Sequence, residues 1–167
     1  MNWVVIMIVA GAMIGGFQSS KHVDFSGTWS LDLKKSTQLP ESFKYVESYS
    51  MEVKQTKDSL ITMARLKGSG QDVKFPLTAY ALNGSEVFRE DTLRKSKRWF
   101  TASWATTGNF FIVDSRVEQE GARQTEQYTQ HDVWELINSK ILQISVTQKF
   151  PNGKETHSER RVFHRVN

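Results

Sequence analysis

The chain has 167 residues, with 22 basic and 18 acidic side chains, a net charge of +4 and no cysteine. That length fits one domain, and the missing cysteine excludes disulfides, thiolate metal sites and a cysteine nucleophile. The positive charge is mild and its sharpest cluster is one short run, a poor nucleic-acid footprint, so no nucleic-acid partner is expected.

The chain opens on an apolar run from Trp3 to Phe17 without a charged side chain. As a helix it would reach roughly 22 Å, short of a bilayer core about 30 Å thick. Residues 1–20 are therefore expected to be a signal peptide, with a retained N-terminal anchor as the alternative. No Lys or Arg precedes the run, and cleavage fits after Gly16 or near Ser19-Ser20. The protein is expected to be exported, either periplasmic or extracellular. Residues 24–167 form the second segment, long enough to bury about two-thirds of its unfolded surface without staples.

From residue 24 onward the hydrophobic pattern has period two, which sets one strand face on a core and the other in water. Phe25, Gly27, Trp29, Leu31 and Leu33 alternate with Ser26, Thr28, Ser30 and Asp32. A single helical turn is possible over Lys34 to Ser42. Strands are expected at 25–33, 44–55, 59–67, 71–80, 86–92, 97–105, 110–119, 123–136, 140–149 and 154–166, about nine or ten in all. Turn residues separate them, among them Gly68-Ser69-Gly70, Asn83-Gly84 and Pro151-Asn152-Gly153. Asn-Gly suits tight hairpins because both residues tolerate positive φ. Pro76 interrupts its run and marks an edge or bulged strand. The pattern predicts an all-β fold, a single antiparallel up-and-down β-barrel of about eight to ten strands, because closure removes exposed edges. A sandwich is the alternative.

No catalytic set stands out, and an enzyme is not expected. His22, His131, His157 and His164 show no metal-ligand spacing, so no metal site and no cofactor are expected. His157 and His164 lie an odd number of residues apart on one strand and should face opposite sides. Asp114 and Asp132 sit inside apolar strand sequences and could point inward. Glycines mark turns and form no phosphate loop. Asn83-Gly84-Ser85 reads more simply as a hairpin than as a glycosylation site. The basic run Arg94-Lys95-Ser96-Lys97-Arg98, followed by Trp99-Phe100, reads as a solvated hairpin end, with peripheral membrane contact through residues 94–98 as the functional alternative.

Aromatic residues crowd the middle third. Trp104 shares parity with Phe100, and Tyr128 shares parity with Trp134. Turned inward, these four would line a ligand cavity, or else fill a solid core.

The segment Phe25-Ser26-Gly27-Thr28-Trp29-Ser30-Leu31 resembles the first strand of the lipocalin and fatty-acid-binding protein superfamily, marked by Gly-x-Trp. The last strand, Glu159-Arg160-Arg161-Val162-Phe163-His164-Arg165-Val166, resembles that superfamily's terminal strand. With Lys35-Ser36 after the first strand, the whole segment is similar to exported bacterial lipocalin-like proteins. The resemblance implies a calycin-type barrel whose closed floor is marked by Gly27 and Trp29, with Arg161 or Arg165 over the indole as a cation–π partner worth about 0.5–2 kcal/mol. It implies a small hydrophobic or amphipathic ligand, such as a fatty acid or lipid, with Arg161 as a head-group partner beside Phe100, Trp104, Tyr128 and Trp134. The chain departs from the pattern in three places. Phe163 stands where the fatty-acid-binding proteins carry a ligand-binding Tyr. Residues 34–44 leave room for one turn rather than two helices. Leu31 replaces the second Gly of the haem-binding nitrobindins. A filled-barrel interaction module of the cell envelope is the competing reading. Nothing in the sequence sets the oligomeric state.

Overall fold

A computed structural model describes residues 22–92, 95–121, 124–151 and 157–166. The expected leader over residues 1–20, Arg94 of the basic run and the Asn152-Gly153 part of the last turn lie outside these residues. The described residues form one antiparallel sheet of eleven strands. In chain order they are β1 (Gly27–Leu31), β2 (Val46–Gln55), β3 (Ser59–Gly68), β4 (Gln71–Lys74), β5 (Thr78–Ala81), β6 (Val87–Asp91), β7 (Ser96–Trp104), β8 (Phe110–Glu120), β9 (Thr125–Asn138), β10 (Ile141–Lys149) and β11 (His157–Val166). A short 3-10 turn over Glu41–Tyr45 precedes β2.

The sheet order is β4-β3-β2-β1-β11-β10-β9-β8-β7-β6, with β5 also paired to β3. Along that path every neighbour but one is a sequence neighbour, and the exception joins β1 to β11. The pattern follows from turn-linked alternating strands, each of which must cover its apolar face. Pro76 explains the extra strand. β4 and β5 both run against β3, on Gly68–Arg65 and Thr62–Ser59 respectively. They form one edge run broken at Phe75, Pro76 and Leu77. Proline has no N–H to donate, so it interrupts a ladder and is tolerated at an edge. Phe75 N still donates to Ala64 O at 2.8 Å, which holds the two pieces in line.

Among the described residues no ladder joins β5 to β6 or β7, so backbone hydrogen bonds leave the sheet open. Its two ends nevertheless meet through side chains. The Tyr80 ring on β5 lies 5.2 Å from the Phe100 ring on β7. Arg89 on β6 donates to Thr78 Oγ1 on β5 and, at 3.3 Å, to the Pro76 carbonyl.

Inward-facing residues fall into two levels. The first is apolar and aromatic. Phe25, Trp29, Leu60, Phe111, Leu142 and Phe163 are all buried there. Phe25 belongs to the segment before β1, which crosses the sheet's lower end. Its ring lies 5.7 Å from Trp104, 6.3 Å from Phe111 and 6.0 Å from Trp134. His22 stacks on Trp104 at 4.5 Å. Gln55 fixes the segment: its Oε1 accepts from Phe25 N at 3.0 Å, and its Nε2 donates to Val23 O at 2.9 Å.

Between β1 and the 3-10 turn the chain leaves the sheet and returns. Asp32 N donates to Val162 O at 2.8 Å, and Thr37 N to Arg160 O at 2.9 Å. The intervening residues loop out as an Asp-initiated turn. Asp32 Oδ1 accepts from Lys34 N and Lys35 N, and Ser36 Oγ accepts from Val162 N at 3.0 Å. The Lys35-Ser36 pair is therefore a way of bulging the chain and re-pairing it.

Candidate functional site

Gly27, Trp29 and Arg165 form one unit at the lower end. Trp29 on β1 stands opposite Arg165 on β11 and Met51 on β2. The indole is fully buried, and its Nε1 donates to Phe25 O at 2.9 Å. The Arg165 guanidinium carbon sits 4.2 Å from the ring centre. Its Nε donates to Ser139 O at 2.8 Å, and its Nη1 donates to Ser26 O. Gly27 has φ +135°, and a Cβ there would collide with Arg165 Nη1. The Arg over the indole is thus Arg165. Arg161 lies higher on β11, with its guanidinium 5.6 Å from the Phe43 ring of the 3-10 turn.

The candidate lining residues separate in space. Phe100 and Trp134 are buried, and Trp104 is half-buried against the same cluster. Trp134 meets Phe111 at 5.9 Å and Tyr80 at 6.4 Å, and Trp104 meets Phe111 at 5.5 Å. Trp104 and Trp134 therefore belong to the aromatic floor that Phe25 fills, and Phe100 lies at its upper margin. Tyr128 and Arg161 stand at the other end. Tyr128 is half-buried, opposite Val117 on β8, with its ring 5.4 Å from Phe150.

Above the floor the inner face turns polar. Asp132 and Glu159 are both buried, and Val146 on β10 stands opposite each of them, Asp132 on β9 and Glu159 on β11. Arg98 Nη2 on β7 reaches Asp132 Oδ2 at 3.3 Å and donates to Ser115 Oγ at 2.6 Å. Gln130 Nε2 donates to both Asp132 oxygens, at 2.8 and 3.1 Å. Gln148 Nε2 donates in turn to Gln130 Oε1 at 3.0 Å. Arg161 Nη2 pairs with Glu159 Oε1. Among the described residues the buried Arg98 Nε, Arg161 Nε, Glu159 Oε2 and His157 Nε2 have no hydrogen-bond partner. Burial pushes the Asp132 carboxyl above the usual carboxylate range, against the lowering effects of Arg98, Gln130 and Arg161. Burial likewise pushes the Tyr80 phenol up.

Of these groups the sequence singled out Arg161 and the inward option for Asp132. The sequence pattern places Arg98 in a solvated basic run and does not mark Glu159 or Phe25 as site residues. The available signal was parity: Asp132 precedes Trp134 by two, and Glu159 precedes Arg161 by two. Arg98 turns inward beside Ser115, while Lys95 pairs with Glu120 at 3.3 Å. The basic run therefore divides between two faces.

His131, Asp114, His164 and Asp32 sit on the outer face. His131 Nδ1 lies 2.6 Å from Asp114 Oδ1, with both side chains exposed, and His164 Nε2 lies 2.9 Å from Asp32 Oδ2. His157 shares the inner face with Glu159, and His164 points the opposite way. Among the described residues no cluster of His, Asp and Glu is placed to hold a metal ion, and no helix is long and apolar enough to cross a membrane. A groove of about 220 Å³ opens on the outer face of β1 to β4, beside Thr28, Ser50, Glu52, Met63, Arg65 and Lys74. It contains none of the candidate ligand residues.

No protein-family model matches the chain, and no curated protein matches it. Among solved structures, one similar chain is described as "a putative thioesterase II from Thermobifida fusca YX", 8% identical over 89% of this chain and 81% of that chain, with a TM-score of 0.33. A likeness that slight carries no argument about fold or activity.

Proposed function

We propose that this protein is an exported lipocalin-like β-barrel that holds a small amphipathic molecule, with its polar end at the upper, charged level of the inner face. The observation that carries this reading is the set of four buried polar atoms without partners, all on inward-facing side chains. A buried polar group left unsatisfied costs about 1–3 kcal/mol, so such a cluster suits a site completed by something else. The Trp29-Arg165 unit and Phe25 supply a sealed end below it. The link from Arg89 to Thr78 and Pro76 supports closure of the barrel by side chains where the ladder is open. The apolar run Trp3 to Phe17 supports export.

Apolar burial supplies most of the binding energy. A chain of about a dozen methylenes is worth roughly 10 kcal/mol gross, and association costs at least about 4 kcal/mol. The test is extraction of organic ligands from purified protein, followed by displacement titration of a fluorescent lipid analogue on the stripped protein. Micromolar displacement supports the reading. Absence of both co-purified lipid and displacement overturns it in favour of a filled interaction module.

A further inference from the structure

The inner face defines the class of head group. Above the floor, where Arg165 is held over Trp29, the buried and half-buried charges that face inward are Arg89 and Asp91 on β6, Arg98 on β7, Asp132 on β9, and Glu159 and Arg161 on β11. The cations and anions are equal in number. Arg98 is already engaged by Asp132, Arg161 by Glu159, and Arg89 by Thr78 and the Pro76 carbonyl. His157, Tyr80 and Tyr49 add titratable side chains from β11, β5 and β2.

A ligand carboxylate would enter a site without surplus positive charge. It would have to displace Asp132 or Glu159 from its arginine, or sit beside both. Two like charges within a few ångströms in a poorly hydrated site repel strongly. The unused hydrogen-bonding capacity points the same way. Arg98 Nε and Arg161 Nε offer donors, and Glu159 Oε2 offers an acceptor. A carboxylate only accepts, so it satisfies the first two and leaves the third facing an anion. A hydroxyl both donates and accepts. It can take an N–H from a guanidinium and give its proton to Glu159.

We infer that the head group recognised here is uncharged and hydroxyl-bearing, as in a monoacylglycerol or long-chain alcohol, and that Glu159 selects it over a carboxylate. This rests on the ligand-binding reading above and names the ligand class for that same site.

The experiment compares two probes with the same acyl chain, dodecanoate and 1-monododecanoylglycerol, below their aggregation limits at pH 7.5. Each is titrated against the stripped full-length protein by calorimetry and by displacement of a fluorescent analogue. The wild type should bind the glycerol ester at least about tenfold more tightly. Glu159→Gln removes the inward charge with little change of shape and should narrow or reverse that preference by about tenfold. Asp132→Asn should relax it in the same direction if Glu159→Gln does not fold. Equal or tighter binding of dodecanoate by the wild type overturns the inference and leaves the ligand-binding reading standing. Binding of neither probe, nor of any other lipid analogue, overturns both. A preference for the ester that Glu159→Gln leaves unchanged overturns the role assigned to Glu159.

Discussion

The Arg165 guanidinium lies 4.2 Å over the Trp29 ring and at the same time bonds the carbonyls of Ser26 and Ser139. One side chain thereby ties the first strand, the last strand and the β9–β10 turn. Trp29 supplies the buried surface, and Arg165 supplies the latch.

Removing Trp29 should therefore be severe. Trp29→Ala deletes a fully buried indole and is expected to cost about 3–5 kcal/mol. Arg165→Leu keeps some packing but loses the cation–π contact and two charged hydrogen bonds, for about 2 kcal/mol. Urea unfolding monitored by fluorescence and circular dichroism measures both. A Trp29→Ala protein as stable as the wild type would contradict the floor assignment.

Gly27→Ala tests backbone and latch together. The φ of +135° is strained for any side chain, and the added methyl meets the Arg165 guanidinium. A loss of about 1–3 kcal/mol is expected. The double variant Gly27→Ala with Arg165→Leu should lose less than the sum of the single changes, because the collision is gone.

Phe25 precedes the sheet, yet it is fully buried among Trp104, Phe111 and Trp134. Phe25→Ala is expected to cost about 3–5 kcal/mol. It should also expose the floor to solvent, which red-shifts the tryptophan emission. An unchanged midpoint and emission maximum would mean that the segment is not a plug.

Asp132 gives a pH dependence opposite in sign to that of an exposed, paired carboxylate. Its carboxyl is raised in the folded state by burial. Its favourable linkage is therefore fully present below the unfolded value near 3.8 and is lost as pH rises through the folded value. Asp72 behaves the other way. Arg65 donates a hydrogen bond to it and lowers it, so its contribution is present above the unfolded value and is lost as pH falls through the folded one. Carboxyl-carbon NMR titration should find Asp132 above Asp72. The stability of the wild type relative to Asp132→Asn should fall as pH rises through the Asp132 transition. A flat difference across that range would count against burial as the cause.

The sequence by itself determined the strands. Alternation of apolar and polar residues depends only on neighbours two apart, so the β-rich pattern, the turns and the break at Pro76 were all legible. So was the opposite facing of His157 and His164 on one strand. Parity within a strand does not, however, say which strands meet or at what height. Those depend on register, which loop lengths and bulges set. The register shifts between Ile141 and Leu142 and between Val46 and Ser48 are two such bulges. Only the tertiary structure decided that Arg165 rather than Arg161 covers Trp29, and that Trp104 and Trp134 belong to the floor while Tyr128 does not. It alone brought Arg98 to Asp132 across the intervening β8. Contacts between residues far apart in the chain are selected by burial and charge pairing over the whole sheet, and no local pattern records them.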